Sequence, residues 1–373
     1  MRIHSVRLHQ FRNYKEEKIE FNHSILLFYG KNGQGKTNLL EALYVGGMGK
    51  SYRGVSDSDL IQWHCQEGSV ILEFERNGVP QQIKIILSTV KKKELWVNET
   101  KVPQRELMGT LNEVLFAPED LQLIKGSPSL RRRFMDMEIS QVSLSYYREL
   151  LQYNRAISQR NLLLKKMRYE GKQPLTEWDM QIARFAASIV EKRLQALHKI
   201  SLLSGVIHKR LSNGLEKLTM SYMQPYFQAG KDSLDDMVQP GWYYDLLQQH
   251  LEDDMYRAST SIGPHRDDLA FHINGVDVKK FGSQGQQRTA VLSLKLSELE
   301  FIKSETGEYP VLLLDDVMSE LDQARRQALI QFVRGRIQTF ITTTEPILFS
   351  SMEDCCPICI AQGKVQDDGQ TKS

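Results

Sequence analysis

The stretch GKNGQGKTNLLEAL, at residues 30–43, decides the fold class of this chain. It follows the apolar run ILLFY at residues 25–29, so a strand is expected to lead into a glycine-rich turn and then into a helix. Residues 30–37 fit the P-loop pattern G-x-x-x-x-G-K-[ST] in the strand-turn-helix context that this pattern requires. A turn that matches by accident is the alternative, and the preceding apolar strand disfavours it.

The chemistry of this pattern indicates a bound nucleotide. Glycines let backbone amides surround an anion, and the helix that follows directs its unpaired amides at the same anion. Lys36 would reach the β- and γ-phosphates, and the Thr37 hydroxyl would ligate Mg²⁺. The predicted nucleotide contacts in this segment are Gly30, Lys31, Asn32, Gly33, Gln34, Gly35, Lys36 and Thr37.

Composition places few limits on the chain beyond solubility. Its 373 residues are 41% hydrophobic and 25% charged, which is typical of a globular protein with two domains or one domain with an insertion. No apolar run approaches the roughly 20 residues of a membrane span, and the first residues lack a signal-peptide core. We therefore expect a cytoplasmic protein. The cysteines Cys65, Cys355, Cys356 and Cys359 lack the spacing of a zinc site and are expected to be reduced thiols.

Charge is distributed unevenly along the sequence although the net charge is only +2. Residues 125–210 contain 17 Lys or Arg against 7 Asp or Glu, a local balance of +10, whereas residues 232–254 are acidic. A polyanionic partner for the basic segment and a set of solvated helix faces explain this asymmetry equally well.

A second part of the expected site lies near the C-terminus. The run YPVLLLDD at residues 309–316 is typical of a strand buried in a parallel sheet and ending in two carboxylates. This is the Walker B arrangement, in which Asp315 would hold Mg²⁺ and Asp316 would orient or deprotonate the attacking water. The alternative is that both carboxylates cap the helix predicted over residues 319–334.

The segment FGSQGQQR at residues 281–288 precedes a strong helical pattern. By itself it is typical of a helix-capping loop. Together with the Walker motifs it resembles the signature segment of ABC-type ATPases, which contacts the γ-phosphate bound by the other subunit. Ser283, Gly285 and Gln286 keep that pattern, and SELD at residues 319–322 resembles the D-loop.

Several motifs together resemble the RecF family of SMC- and Rad50-like ABC ATPases. The match extends from the first strand to TFITTTE at residues 339–345 and thus covers essentially the whole chain. The other motifs are FRNY at residues 11–14, GKNGQGKTNLLEA at 30–42, FAPEDL at 116–121, GPHRDDL at 263–269, FGSQGQQR at 281–288 and LLLDDVMSELD at 312–322.

The resemblance implies an α/β fold: an ABC-type P-loop ATPase head, made of a mixed sheet and an antiparallel meander, with an inserted, mostly helical second lobe. Apolar spacing predicts two long helical stretches, at residues 129–169 and 176–211, and neither is long enough for an extended coiled-coil arm. The implied boundaries are 1–124 for the N-terminal part of the ATPase lobe, 125–257 for the helical lobe, and 258–373 for the signature segment and the rest of the ATPase lobe.

The resemblance also implies a function. Members are weak DNA-dependent ATPases that act as switches in recombinational repair and replication restart. ATP drives a homodimer onto single-stranded, double-stranded or gapped DNA in the nucleoid, with RecR and RecO as partners, and this helps recombinase loading and SOS induction. Slow hydrolysis then releases the protein.

The residue roles carried over from the family follow its motifs. Lys36, Asp315 and Asp316 are the expected catalytic residues, and Thr37 and Asp315 the expected Mg²⁺ ligands. Ser283 would act across the dimer. Arg12 matches an arginine that approaches the phosphates in related heads, and a surface arginine is the alternative.

Two departures from the wider ABC pattern predict slow hydrolysis. Asp316 stands where a glutamate is usual, and Thr342, Thr343 and Thr344 occupy the region of the switch histidine. No glutamine near residues 116–121 fits a Q-loop, for which Glu119 or Asp120 are candidates.

The residues leave several alternatives open. The candidate DNA contacts are Arg131, Arg132 and Arg133. Alternatively, these arginines simply lie at the start of a helix. His265 in GPHRDD is more typical of a structural hydrogen-bonding histidine than of a catalytic one. A small-molecule kinase and a transporter subunit are the rival functions. The signature segment and the D-loop disfavour the kinase, and the basic helical insertion disfavours the transporter.

Overall fold

The computed structural model describes residues 1–171, 174–344 and 354–366, so Glu345 of the TFITTTE motif lies outside the described residues. The strands are β1 (Arg2–Phe11), β2 (Tyr14–Glu20), β3 (Ile25–Tyr29), β4 (Glu67–Arg76), β5 (Val79–Ser88), β6 (Glu94–Val97), β7 (Thr100–Val102), β8 (Glu113–Phe116), β9 (Leu218–Met223), β10 (Asp268–Ile273), β11 (Val276–Asp277), β12 (Val311–Asp315), β13 (Thr339–Thr343), β14 (Cys355–Ala361) and β15 (Lys364–Gln366).

The helices are α1 (Lys36–Met48), α2 (Gln104–Leu107), α3 (Gln122–Lys125), α4 (Pro128–Val142), α5 (Leu144–Glu170), α6 (Thr176–Leu211), α7 (Pro240–Gln249), α8 (Leu251–Arg257), α9 (Val278–Phe281), α10 (Gln284–Thr306) and α11 (Gln323–Val333). Among the residues that the structure describes, no helix is long and apolar enough to cross a membrane.

The chain divides into two units, which we call the ATPase unit (Met1–Gln122 with Val291–Ser373) and the inserted unit (Leu123–Ala290). The first boundary lies close to the predicted residue 124. The return to the ATPase unit was predicted at residue 258, and this prediction was wrong. Strand β10 pairs antiparallel with β9, from Asp268 with Met223 to Ile273 with Leu218, and this pairing fixes it in the inserted unit.

The first sheet of the ATPase unit has the strand order β2-β1-β4-β5-β6-β7, and all its pairs are antiparallel. The predicted meander is therefore confirmed. Its first hairpin turns at Asn77 and Gly78, which both have positive φ (50° and 74°), as a type I′ turn requires. Buried and less buried residues alternate along β4, so one face of the strand packs on the core.

The second sheet of the ATPase unit has the order β15-β14-β3-β13-β12-β8. Strands β14, β3, β13, β12 and β8 run parallel, and β15 pairs antiparallel at the edge. Every residue of β12 and β13 is buried, which explains the uninterrupted apolar run of β12. Together with the inserted helices, this mixed sheet confirms the predicted fold class.

Strand β14 was not predicted, because its cysteine-rich sequence carries no clear strand signal. It lies beside β3, with Cys355 opposite Ile25 and Cys359 opposite Tyr29. Burial, and to a lesser degree the neighbouring Cys356, raises the pKa of the Cys355 thiol to about 11. A thiol with so high a pKa stays protonated at neutral pH, in keeping with a structural role.

The helices of the inserted unit differ in one respect from the sequence prediction. The stretch 129–169, read as one helical segment, is divided into α4 and α5 at Ser143, whose hydroxyl accepts a hydrogen bond from the Tyr146 amide. Such a side-chain cap starts a new helix because it satisfies an otherwise unpaired amide. The second stretch, Thr176–Leu211, is α6 over the predicted range.

The helix predicted over residues 319–334 also begins later than expected. Residues Val317–Glu320 form a short 3-10 helix, and α11 starts at Gln323. The Asp322 carboxylate accepts a hydrogen bond from the Arg325 amide and thus caps α11. Asp322 therefore caps this helix, and the two Walker B carboxylates remain at the end of β12.

Candidate nucleotide-binding site

The P-loop has the backbone conformation that its glycines predict. Gly30, Gly33 and Gly35 have φ values of 146°, 75° and 116°, in the region that favours glycine. The φ of 116° at Gly35 strains any residue with a Cβ atom, and that Cβ would also lie 2.7 Å from Asn13 Nδ2. Only glycine fits at position 35, where α1 begins.

Two distant segments hold the P-loop in place. Asn13 Nδ2 donates to the Gln34 carbonyl (3.0 Å) and the Tyr14 hydroxyl donates to the Gly35 carbonyl (3.0 Å). From the turn between β14 and β15, the Gly363 amide donates to the Gln34 carbonyl (2.9 Å). The FRNY motif and the C-terminal hairpin therefore both anchor the loop, and the role of the hairpin was not predicted.

The Lys36 side chain contacts the P-loop, where a nucleotide would also bind. Its Nζ donates to the carbonyls of Gly30 (2.8 Å) and Lys31 (2.9 Å), and the residue is buried. Burial lowers the pKa of Lys36, while the nearby carboxylates of Asp316 and Asp315 act in the opposite direction. The amine is thus held at the loop beside the two Walker B carboxylates.

The Asp315 carboxylate accepts hydrogen bonds from residues in both the N-terminal and the C-terminal part of the sequence. Its Oδ1 accepts from Thr37 Oγ1 (3.0 Å) and Thr342 Oγ1 (2.9 Å), and its Oδ2 accepts from the Tyr52 hydroxyl (2.6 Å). Parallel pairing of β12 with β13 puts Asp315 opposite Thr342. Tyr52 was missed because no motif marks it, and Thr342 had been noted only as replacing the switch histidine.

Asp316 follows in a left-handed conformation, with a φ of 52°. Its amide donates to Thr342 Oγ1 (2.8 Å), so one threonine fixes both carboxylate residues. Partial burial, then the neighbouring Asp315 charge, raises the pKa of Asp316, whereas Lys36 lowers it. A carboxylate with a raised pKa is better matched to taking up a proton near neutral pH.

These groups surround a cavity of about 250 Å³ in the ATPase unit. Arg53 and Asn38 were not among the predicted contacts, and the Arg53 guanidinium lies 3.7 Å from the buried Glu41 carboxylate. The cavity is lined by Asn32, Gly33, Gly35, Lys36, Thr37, Asn38, Arg53, Asp316, Thr342 and Thr344.

Arg12 is engaged elsewhere in this structure. Its Nε and Nη2 each donate to the Glu41 carboxylate at 2.9 Å, and its Nη1 donates to the Asp59 carbonyl (2.8 Å). Glu41 also accepts from the Ser51 hydroxyl (2.5 Å), so the arginine belongs to a network around the P-loop helix. A phosphate contact of Arg12 stays a prediction.

The residues present fit a nucleotide with its magnesium ion. Thr37 Oγ1 and Asp315 Oδ1 lie 3.0 Å apart, close to the roughly 2.9 Å that separates neighbouring ligands in octahedral Mg²⁺ coordination. No cluster of three or more His, Cys, Asp or Glu side chains suited to a metal occurs in residues 1–171, 174–344 or 354–366. A nucleotide-linked Mg²⁺ needs no such cluster, since phosphates and waters supply its other ligands.

The signature segment lies in the inserted unit and caps α10. The Ser283 hydroxyl accepts from the Gln286 amide (3.2 Å), and Gln286 Oε1 accepts from the Ser283 amide (2.9 Å). This reciprocal pair is a capping box. Gly285 lies in the first turn of the helix, and the Ser283 side chain remains exposed. Contact with the phosphate of a second chain stays a prediction for Ser283, Gly285 and Gln286.

The structure changes the predicted role of the arginine triplet at residues 131–133. Arg131 is buried, and its Nε and Nη2 donate to the Asp268 carboxylate at 2.6 and 2.9 Å. Its Nη1 donates to three carbonyls at the preceding turn, so the predicted DNA contact of Arg131 is wrong. Arg132 Nη1 donates to the Asp267 carbonyl (2.7 Å), and Arg133 is the one exposed arginine of the three.

Known proteins are similar to this chain over nearly its whole length. The family described as RecF/RecN/SMC N terminal domain matches residues 2–367. The DNA replication and repair protein RecF of Natranaerobius thermophilus is 43% identical over 364 residues, covering 95% of this chain and 92% of the relative. The RecF of Bacillus cereus strain G9842 is 40% identical over 370 residues, covering 98% of both chains.

Solved structures give the same result. A structure of the recombination mediator protein RecF-ATP in the RecFOR pathway is similar with a TM-score of 0.90 and 38% identity, covering 98% of this chain and 97% of that one. The Smc head domain of Pyrococcus furiosus bound to a ScpA domain has a TM-score of 0.56 at 16% identity and shows a shared fold alone. The chain therefore belongs to the RecF family of DNA replication and repair proteins, within the larger group of RecF, RecN and SMC N-terminal domains.

Proposed function

We propose that this protein is an ATP-controlled DNA-binding switch of recombinational repair. The observation that carries the proposal is the contact of Thr37 with Asp315, which joins the P-loop to the Walker B strand at 3.0 Å. A P-loop and a Walker B carboxylate at this distance are what Mg·ATP binding needs. The relatives named as DNA replication and repair proteins, and the RecF-ATP structure, support the same assignment.

ATP is bound by residues 30–37, with Lys36 turning from its own loop carbonyls to the β- and γ-phosphates. Thr37 and Asp315 would hold Mg²⁺, which neutralises developing charge on the phosphates when bound. Arg53 at the cavity adds a further positive charge near the phosphates. Arg12 is the more remote candidate because Glu41 occupies two of its donor groups.

Hydrolysis is slow and serves to end the bound state. Asp316 orients the attacking water and accepts its proton, and its raised pKa supports that role. Its side chain is one methylene shorter than glutamate, so its reach to the water is shorter. Thr342 fixes the backbone of Asp316 and keeps the carboxylate at the cavity.

ATP binding drives formation of a homodimer. Ser283 is exposed at the start of α10, where the hydroxyl and the helix N-terminus can receive an anion from a second chain. Gly285 and Gln286 complete this surface. A dimer built in this way encloses the γ-phosphate between two chains, and loss of that phosphate opens it.

DNA binding is sequence-independent and rests on phosphate contacts. The balance of +10 over residues 125–210 supplies the attraction, with Arg133 among the exposed cations. The proposed setting is the cytoplasm, at gapped DNA in the nucleoid, with RecR and RecO as partners in recombinase loading and SOS induction. The RecFOR pathway assigned to the similar solved structures supports this setting.

Sedimentation velocity tests the proposal. The protein is run with Mg·ATP or Mg·ADP, with and without gapped DNA, beside a Lys36→Ala variant. We expect dimers with ATP, monomers with ADP, and monomers for the variant in both nucleotides. Dimers that form equally with ADP, or in the Lys36→Ala variant, would overturn the proposed switch.

A further inference from the structure

A second cavity of the ATPase unit carries a strong positive charge. Its volume is about 400 Å³, and it lies where β5 ends and β6 and β7 begin. Four lysines line it, against one carboxylate, that of Asp57. These lysines are Lys91, Lys92, Lys93 and Lys101. We call this feature the lysine groove.

Two of the four lysines are already paired and give the groove its shape. Lys93 Nζ donates to the Gly49 carbonyl (2.6 Å) and lies 3.2 Å from the Asp57 carboxylate. Lys101 Nζ lies 2.7 Å from Glu94 and 5.8 Å from the centre of the Trp96 ring. Lys91 and Lys92 are exposed, and within the described ranges neither forms an ion pair. The groove thus presents the two exposed ammonium groups of Lys91 and Lys92 beside the paired Lys93 and Lys101.

Residues that line the lysine groove form hydrogen bonds with helix α1, which follows the P-loop. The Gln104 side chain donates to the Met48 carbonyl (2.8 Å) and Lys93 to the Gly49 carbonyl, so both hold the C-terminal end of α1. Helix α1 begins at Lys36 in the nucleotide site. One helix of 13 residues, about 20 Å long, therefore has the nucleotide site at its start and the lysine groove at its end.

An exposed tryptophan lies at the same end of the sheet. Trp63 is 88% exposed, on a turn closed by the Cys65 amide and the Gln62 carbonyl (3.0 Å). This turn precedes β4, and the Thr89 amide donates to the Gln66 carbonyl (2.9 Å) just before the run of lysines. An exposed aromatic ring of this size has a free face on which a nucleic-acid base can stack.

We propose that this end of the sheet binds single-stranded DNA, with phosphates at Lys91 and Lys92 and an unpaired base against Trp63. Lysines that track a phosphate backbone beside an aromatic stacking surface are the two elements of single-strand recognition. Duplex DNA keeps its bases stacked inside and offers Trp63 no ring face. The inference rests on the proposed DNA-binding function and assigns the single strand of a gap to the ATPase unit.

The lysines are tested with a matched pair of double variants. Lys91→Gln/Lys92→Gln removes two charges from the groove, and Lys217→Gln/Lys231→Gln removes two from exposed lysines of the inserted unit that lie outside residues 125–210. Binding of labelled oligo(dT) to the ATP-bound protein is measured by fluorescence anisotropy over a range of salt concentrations. We expect the groove variant to bind on the order of ten-fold more weakly, with a salt slope flatter by about 1.4, and the control variant to change far less.

Trp63 is tested by its own substitution and its own signal. Trp63→Leu is expected to weaken oligo(dT) binding on the order of ten-fold, to leave duplex binding unchanged, and to abolish the quenching of tryptophan emission by oligo(dT). Quenching that persists in the variant, or oligo(dT) affinity equal to wild type, would overturn the single-strand assignment. Competition by poly-glutamate as strong as that by oligo(dT) would instead indicate an acidic protein partner and equally overturn it.

The outcomes separate this inference from the function on which it rests. Wild-type protein that binds neither oligo(dT) nor duplex DNA would overturn the proposed DNA-binding function itself. Wild-type protein that binds oligo(dT), together with a groove variant that binds it equally well, would leave that function intact and overturn only the site.

Discussion

Three hydroxyl groups from three different elements hold the Asp315 carboxylate. Thr37 lies at the start of α1, Thr342 on β13, and Tyr52 in the segment that follows α1. A carboxylate that accepts hydrogen bonds on both oxygens has a fixed orientation, which a metal ligand needs. At the scale of single residues, Tyr52 is the unexpected member, and it acts through Asp315 as a positioning residue.

Tyr52→Phe tests that role. The ring keeps its edge-to-face packing on Tyr44, with centroids 5.3 Å apart, while the hydrogen bond to Asp315 is lost. We expect the Mg²⁺ concentration for half-maximal binding of a fluorescent ATP analogue to rise on the order of ten-fold, because outer partners of metal ligands contribute about that much. Affinity for the analogue in EDTA is expected to stay the same.

The matched control is Tyr169→Phe, which removes a hydroxyl from a tyrosine that is 87% exposed. Both variants are first checked by thermal unfolding. An unchanged Mg²⁺ requirement in Tyr52→Phe would show that Thr37 and Thr342 orient Asp315 unaided. A lower requirement would mean that Tyr52 competes with the metal for Asp315.

Asp316→Asn tests the proposed base. The amide has nearly the shape of the carboxylate but takes up no proton, so we expect ATP binding to persist and turnover to fall on the order of 10² to 10⁴. Because the pKa of Asp316 is raised, wild-type turnover should decline with acidification at a higher pH than an ordinary aspartate would give. Turnover is measured by phosphate release across that range, and a rate in the variant equal to wild type would assign the base elsewhere.

At the scale of elements, the GPHRDD loop connects the helices and strands of the inserted unit. Arg193 on α6 is buried and lies 2.7 Å from the Asp136 carboxylate of α4. It also donates to the Pro264 carbonyl (2.8 Å). The Asp267 carboxylate accepts from Tyr222 (2.6 Å) and Tyr226 (2.7 Å). Paired buried charges of this kind join elements far apart in sequence, and removing one partner is costly.

His265 makes this loop sensitive to acid. Its Nε2 faces the Thr260 carbonyl (3.0 Å) and its Nδ1 faces the Tyr153 hydroxyl (2.6 Å), an arrangement that suits the neutral ring. Burial, aided by nearby arginines, lowers the pKa of His265 to about 4. The structural role that the sequence favoured for this residue agrees with these contacts.

The pH dependence of stability follows from that pKa. Between about pH 6.5 and 4 the unfolded chain binds a proton at His265 that the folded chain does not, so the free energy of unfolding falls as the pH falls. We expect a loss of about 2 kcal/mol at pH 5 from this residue. Urea unfolding near pH 7 and pH 5 measures it.

His265→Gln should remove this component, while His198→Gln, at an exposed histidine of α6, should retain it. Equal acid sensitivity in wild type and His265→Gln would contradict the assignment. In that case the buried carboxylates of the unit would have to account for the pH dependence.

At the scale of the whole molecule, the two ends of the chain build one sheet around the nucleotide site. Strand β3 carries the P-loop, β12 the Walker B carboxylate, and β13 lies between them. The N-terminal amine also donates to the Tyr309 carbonyl (2.9 Å), just before β12. The long insertion leaves this sheet continuous, and a second copy of the chain is the proposed source of the signature segment at each phosphate.

Ser283→Arg tests that dimer. The larger charged side chain would block an incoming phosphate group at the start of α10, so we expect ATP to bind and the dimer to be lost. Ser129→Arg, at another exposed serine near a helix start in the inserted unit, is the control. Both are examined by sedimentation with ATP, with circular dichroism to confirm that α10 survives the loss of its cap. If Ser283→Arg still forms a dimer with ATP, the proposed contact of Ser283 with the phosphate of a second chain is wrong.

The sequence by itself determined those features that depend on neighbouring residues. The P-loop follows from its motif, and the buried run of β12 and the range of α6 follow from local spacing, because backbone geometry imposes periods of two and 3.6 residues. What only the tertiary structure decided lies between distant residues. Tyr52 meets Asp315 across 263 positions, and Arg131 meets Asp268 across 137, which removed that arginine from the DNA contacts. Such pairs depend on which elements pack together, and no local pattern records that choice.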